Sequence, residues 1–368
     1  MNAQKAFSVG GFYELKNSGR EVYDFNVGWR YHKGDVQNAE KIDFDDSKWD
    51  IVSTPHTVEL MPAEASGGKN YQGVVWYRKH FNIDQKFTGK RLFVHIEAIM
   101  GKSKIYVNGE LVKEQFGGYL PVAVELTDLG VKAGEKCVIA VMADNSNDRT
   151  YAPGKSQRTL DFTYHGGMYR DVWLIATSPI HITDVNMADK AAGGGVFVHY
   201  NSISKKQADV GVDTDVANTT SKQQMVKVET AILDADGKVV GKTSSNATLK
   251  AGESKQVKQK IVIKNPKLWH PDKPYLYNIQ SKIAQGKNVV DGVVTRVGIR
   301  KVEFKGVDGF YLNDEYFDDK LMGGNRHQDY AYVGNALPNS KQWQDAKKLR
   351  DAGMRVVRVA HYPQDPSF

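Results

Sequence analysis

The 368-residue sequence has a single cysteine, Cys137, so no internal disulfide framework and no cysteine-based metal cluster can form. Set inside the apolar run 136–143, that thiol reads as a small buried core residue. No apolar run reaches membrane-spanning length, so no membrane partner is expected and the chain reads as soluble. No secretory signal is expected either, because Met1-Asn2-Ala3-Gln4 contains no hydrophobic region. Those residues suit either a chain start or the stub left by cleavage after a small residue, so a periplasmic and a cytoplasmic location in a bacterium both stay open. The first 180 residues also lack any long amphipathic helical pattern.

What is present is an ordinary globular composition, 40% hydrophobic, in a chain long enough for two or three domains with their own cores. The formal charge of +7 raises the question of a nucleic-acid partner. The lysines are scattered, however. In Ser204-Lys205-Lys206 and Lys255-Gln256-Val257-Lys258-Gln259-Lys260 they alternate with other residues along expected strands and would face solvent. No basic tract is interleaved with aromatics, so no nucleic-acid partner is expected.

Residues 1–180 alternate short apolar runs with Gly, Asp and Asn turns, the pattern of an antiparallel sandwich. Residues 91–97, 103–107, 119–126 and 136–143 read as strands. Asn108-Gly109 is a hairpin signal, since both residues accept positive φ. A jelly-roll-like architecture follows. From 181 to 304 the composition shifts towards Val, Thr, Lys and Ser, with period-two strands over 195–200, 208–214 and 225–230, as in an immunoglobulin-like sandwich.

The pattern changes over residues 305–368. An apolar run leads into Leu321-Met322-Gly323-Gly324-Asn325-Arg326-His327, an amphipathic helix follows with Trp343, Ala346 and Leu349 on one face, and a second apolar run ends in Arg358-Val359-Ala360-His361. Two short buried strands joined by a helix are the β-α-β grammar of a parallel sheet. In such sheets, and in (β/α)8 barrels above all, chemistry sits at the carboxyl ends of the strands. Asn325, Arg326, His327, Arg358 and His361 all fall there.

These residues carry a resemblance. Phe310-Tyr311-Leu312-Asn313, Gly324-Asn325-Arg326-His327 and Arg358-Val359-Ala360-His361-Tyr362-Pro363 resemble the opening of the catalytic barrel in the glycoside hydrolase family that contains β-galactosidases, β-glucuronidases and β-mannosidases. Phe44-Asp45-Asp46-Ser47-Lys48-Trp49, Pro55-His56, Trp76-Tyr77-Arg78, Tyr106-Val107-Asn108-Gly109, Gly117-Gly118-Tyr119 and Gly166-Gly167-Met168-Tyr169-Arg170-Asp171-Val172-Trp173 resemble its sugar-binding domain. Pro266-Lys267-Leu268-Trp269-His270-Pro271 and Val297-Gly298-Ile299-Arg300 resemble its second domain and the junction with the barrel. Individually each has a plainer reading: Trp49 and Trp76 as core anchors, His56 and His95 as structural histidines, Asn108-Gly109 as a turn.

The resemblance implies a mainly β chain whose three parts are a jelly-roll sugar-binding domain (1–180), an immunoglobulin-like domain (181–304) and the first β-α-β of an incomplete barrel (305–368). It implies retaining cleavage of terminal β-galactosides, with a β-linked carbohydrate as partner and room for a homo-oligomer. A β-glucuronidase, a β-mannosidase or a non-catalytic carbohydrate-binding module are the alternatives. Both catalytic glutamates of the family would lie beyond Phe368, so no catalytic residue is expected within the chain and the chain alone should be inactive.

The resemblance also implies a set of substrate-binding residues. Asp161 would reach from the first domain into the barrel's active site, binding a sugar hydroxyl or a sodium ion; its plainer reading is a turn aspartate. His327 and His361 would hydrogen-bond the sugar, Arg358 would hold a carboxylate ionised, and Asn325 and Arg326 would brace the strand end. No cofactor is required, and a sodium or magnesium ion is the metal such a site would take. A metal centre of His327, Asp329 and His361 is a rival with poor ligand spacing. Asn313-Asp314-Glu315 and Asp318-Asp319 depart from the family pattern and bear on the hairpin before the barrel.

Overall fold

The computed structural model describes residues 12–61, 70–318 and 320–368. Met1-Asn2-Ala3-Gln4 and Asp319 lie outside the described residues. The chain divides into two compact units, one holding residues 22–176 and 323–368, the other 12–21 and 177–322.

The first unit is built on two antiparallel sheets. Six strands run in the spatial order Asp50–Ser53, Val27–Lys33, Val74–Asn82, Lys136–Asp144, Gly101–Val107 and Glu110–Gly117. Four more run Glu21–Asp24, Val172–Thr177, Arg91–Ile96 and Val122–Glu125. Inward residues of both layers, among them Trp29, Tyr77, Val94, Ile96, Ile105, Ile139 and Val172, make one apolar core. Cys137 lies in it, and burial pushes its thiol up to about 12. Trp76 is buried and Trp49 packs half-buried beside it. His56 is closed in by Tyr31 and Tyr77, and burial lowers its imidazole to about 4.

The Asn108-Gly109 signal holds: φ is 50° and 86°, and Val107 pairs with Glu110 across a two-residue turn. A Cβ on Gly109 would meet nothing closer than 3.7 Å, so Gly109→Ala tests backbone preference alone. It is expected to cost about 1 kcal/mol in urea unfolding, because alanine resists positive φ.

The second unit is an immunoglobulin-like sandwich. Gln207–Asn218 pairs with Ser254–Lys264 on one side and with Val196–Ile203 and Ile180–Ile182 on the other. The facing sheet runs Val239–Leu249, Gln224–Leu233, Tyr277–Gln285 and Asn288–Val297. A small sheet of Val302–Phe304, Phe310–Leu312 and Glu315–Tyr316 follows. Here Asn313 and Asp314 take φ of 57° and 68° and Leu312 pairs with Glu315, so the unusual Asn-Asp-Glu sequence still closes a two-residue hairpin.

Residues 323–368 belong to the first unit and hold the β-α-β element: parallel strands Gly323–Arg326 and Val356–Val359 joined by the helix Asn339–Asp351. Two details differ from the sequence expectation. The strands are largely exposed, Val356 at 43% and Val359 at 42%, because among the described residues each pairs only with the other. The buried position of the helix is Gln342 and not Trp343, because the helix packs on the buried guanidinium of Arg326.

Candidate active site

The parallel ladder pairs Asn325 with Arg358 and Arg326 with Val359, and its last bond runs from the Ala360 amide to the Arg326 carbonyl. Strand alternation then sorts the polar residues. Arg326 points to the helix, where it donates to Gln342 (2.6 Å) and Asp345 (2.8 Å); it also donates to Gln364 and lies over the Phe368 ring, both in the segment after the second strand. Its partners occupy it as a brace. Asn325 and Arg358 lie on the opposite face, where Arg358 Nη1 donates to Asn325 Oδ1 at 3.3 Å. In a closed barrel that face is the interior.

Just past the strand ends, His327 and His361 meet with their rings 5.5 Å apart and nearly perpendicular. Asp161 joins them, although it is 166 residues before His327 and 200 before His361 in sequence. Its Oδ2 lies 3.6 Å from His361 Nε2, and the ligand atoms of all three residues fall within 4.8 Å of one another. The loop carrying Asp161 is fixed by buried Gln157, which donates to the Asn145 carbonyl and accepts from the Tyr164 amide. The Asp161 side chain is 72% exposed, so it faces open space and not the core. Its own backbone amide, then His361 and His327, hold its carboxyl below the usual carboxylate range. It is ionised at neutral pH.

Aromatic rings support the cluster from beneath. Phe162 contacts the His327, His361 and Tyr362 rings at 6.0, 5.6 and 5.5 Å, and Tyr362 stacks on Tyr119 at 4.3 Å with the planes parallel. Asp171 ties the same region together, accepting from Asn26 of the sandwich and from Asn339 at the start of the helix. Neither Phe162 nor the Tyr119–Tyr362 stack was singled out from sequence. An aromatic directly after the candidate aspartate was the available signal.

The donor set also bears on the metal question. Asp329 is not part of the cluster; its charge acts on buried His165 instead. Two imidazole nitrogens and one carboxylate oxygen do not suit sodium or magnesium, which take oxygen ligands. These three residues alone do not fit such an ion.

The cluster thus sets an exposed carboxylate beside two imidazoles over an aromatic floor, at the carboxyl ends of two parallel strands. Three domain descriptions match in register with these parts: the glycosyl hydrolases family 2 sugar binding domain over 24–179, the glycosyl hydrolases family 2 domain over 194–300 and the family 2 TIM barrel domain over 302–368. The chain belongs to glycosyl hydrolase family 2.

A β-galactosidase of Thermoanaerobacter pseudethanolicus is 35% identical over 351 residues, covering 95% of this chain and 44% of the relative. A β-glucuronidase of Formosa agariphila is 30% identical over 364 residues, covering 96% and 37%. The solved structure of Bacteroides uniformis β-glucuronidase 2, covalently bound to cyclophellitol-6-carboxylate aziridine, superposes with a TM-score of 0.86 at 29% identity, covering 95% of this chain and 40% of that one. The chain thus spans less than half the length of these relatives. Among the described residues no helix is long and apolar enough to cross a membrane.

Proposed function

We propose that the chain is the front part of a retaining exo-glycosidase that cleaves terminal β-D-galactosides. The observation that carries this is the convergence of Asp161, His327 and His361. An ionised carboxylate accepts hydrogen bonds from two neighbouring hydroxyls, and the imidazoles donate or accept according to tautomer. Together they hold the hydroxyl edge of one terminal sugar, and those bonds strengthen as the ring gains oxocarbenium character. Arg358, on the barrel-interior face, pairs with a carboxylate nucleophile and keeps it ionised. Asn325 orients that guanidinium through the 3.3 Å hydrogen bond. Retaining cleavage takes two carboxylates about 5 Å apart, an acid/base and a nucleophile. Asp161 is the only carboxylate of the described cluster, so both come from further barrel strands.

The 35% identity to the Thermoanaerobacter pseudethanolicus β-galactosidase supports the galactoside. The β-glucuronidases among the relatives favour the second reading, a glucuronide. A panel of chromogenic β-glycosides, offered to a polypeptide carrying the barrel in full, decides. Galactoside turnover with retained anomeric configuration is expected, and preference for the glucuronide replaces the sugar assigned. The 368-residue chain by itself is expected to turn over none of them. Hydrolysis by a rigorously purified sample would overturn the assignment of both carboxylates to other strands, and binding without turnover by the full-barrel polypeptide would make it a carbohydrate-binding module.

A further inference from the structure

The ladder ends at the Ala360 amide, so it does not fix the loops that carry His327 and His361 beyond it. One buried side chain touches both. Arg170, 2% exposed, donates from the same Nη2 to Gln328 Oε1 at 2.8 Å and to the Pro363 carbonyl at 2.7 Å. Gln328 directly follows His327, and Pro363 lies two residues after His361. The guanidinium is itself fixed: Nη1 donates to the Tyr119 carbonyl at 3.4 Å, Nε lies 3.9 Å from Asp365 Oδ2, and the group sits over the Tyr169 ring. Gln328 is wholly buried and its backbone N–H donates to the Tyr362 hydroxyl, which closes the link between the loops.

We propose that Arg170 is a positioning residue for the sugar-binding pair, its guanidinium setting the separation of His327 and His361 by gripping one loop at Gln328 and the other at Pro363. Arginine suits this work because its planar fork is rigid and always charged, so several acceptors are held at fixed angles. A lysine ammonium has no such fork. Removing the guanidinium takes away the donor shared by Gln328 Oε1 and the Pro363 carbonyl and frees each loop to relax separately. The kinetic consequence rests on the glycosidase reading, whereas the geometric one does not.

The test has two readouts. In the 368-residue chain with isotope-labelled histidine, a ring-to-ring nuclear Overhauser contact between His327 and His361 is expected in the parent, weakened in Arg170→Lys and lost in Arg170→Met and Gln328→Ala. An undiminished contact in folded Arg170→Met overturns the proposal; should that variant not fold, an undiminished contact in Gln328→Ala does so. In a polypeptide with the full barrel, Arg170→Met is expected to lower kcat/KM about tenfold alone but less than about twofold on a His361→Ala background, since groups acting through one another are not additive. An equal loss on both backgrounds assigns Arg170 a merely structural role and overturns the proposal. Loss of the ring contact in a protein whose parent cleaves no β-glycoside rejects the glycosidase reading and upholds the positioning role.

Discussion

Glu97→Gln is expected to melt well above the parent at pH 9 and close to it at pH 4.5. Glu97 is 1% exposed, and the Trp173 indole donates to its Oε1 at 2.9 Å. Burial first, then the carboxylates of Asp365 and Asp171, raise its carboxyl to about 8, against the opposing pull of Trp173 and Arg170. An unfolded glutamate titrates near 4.3. Between those values the folded chain holds a proton that the unfolded chain has released, so stability falls as pH rises through that window and levels off above about 8. A shift of that size corresponds to on the order of 3–5 kcal/mol. Glutamine keeps an oxygen for Trp173 and carries no charge, so it removes the decline. Thermal unfolding of both proteins from pH 4.5 to 9 checks this. Parallel curves would mean that Glu97 ionises normally in the folded state.

The same residue shows what the sequence made legible and what it did not. Period-two alternation and Asn108-Gly109 located strands and a turn, because strand faces and turn backbones are local properties. Glu97 closes the apolar run 91–97, and nothing local says that Asp171 and Asp365 will crowd it. The site divides in the same way. His327 and His361 could be placed at strand ends from the β-α-β pattern alone. The meeting with Asp161 is a long-range contact that only the resemblance suggested. Arg326 stands beside His327 in sequence yet turns to the helix, because alternation along a strand sends neighbours to opposite faces. Arg170 lay unread in Met168-Tyr169-Arg170-Asp171-Val172, although a charge inside a run of buried residues signals a paired one. Exposure of Val356 and Val359 could not be anticipated from apolar composition, since burial depends on which strands stand beside them.

Asp161→Asn, in a polypeptide that carries the full barrel, is expected to lower kcat/KM about thirtyfold or more with little change in melting temperature. The two halves of that expectation have separate grounds. Asparagine keeps the shape and one acceptor oxygen but loses the charge, so two neighbouring hydroxyls can no longer be held by one ionised group. The loss should fall more heavily on kcat than on KM, because hydroxyl bonds that tighten in the transition state are the ones weakened. Stability should hardly move, because the side chain is 72% exposed and its contact with His361 is 3.6 Å long. The carboxyl lies below the usual range and stays ionised through neutral pH, so the ratio of parent to variant should be flat from about pH 6 to 8. Added sodium or magnesium should leave that ratio unchanged, as the donor set does not suit either ion. Kinetics identical to the parent would return Asp161 to the role of a turn aspartate. A ratio that depends on sodium would make it an ion ligand in company with oxygen donors from the rest of the barrel.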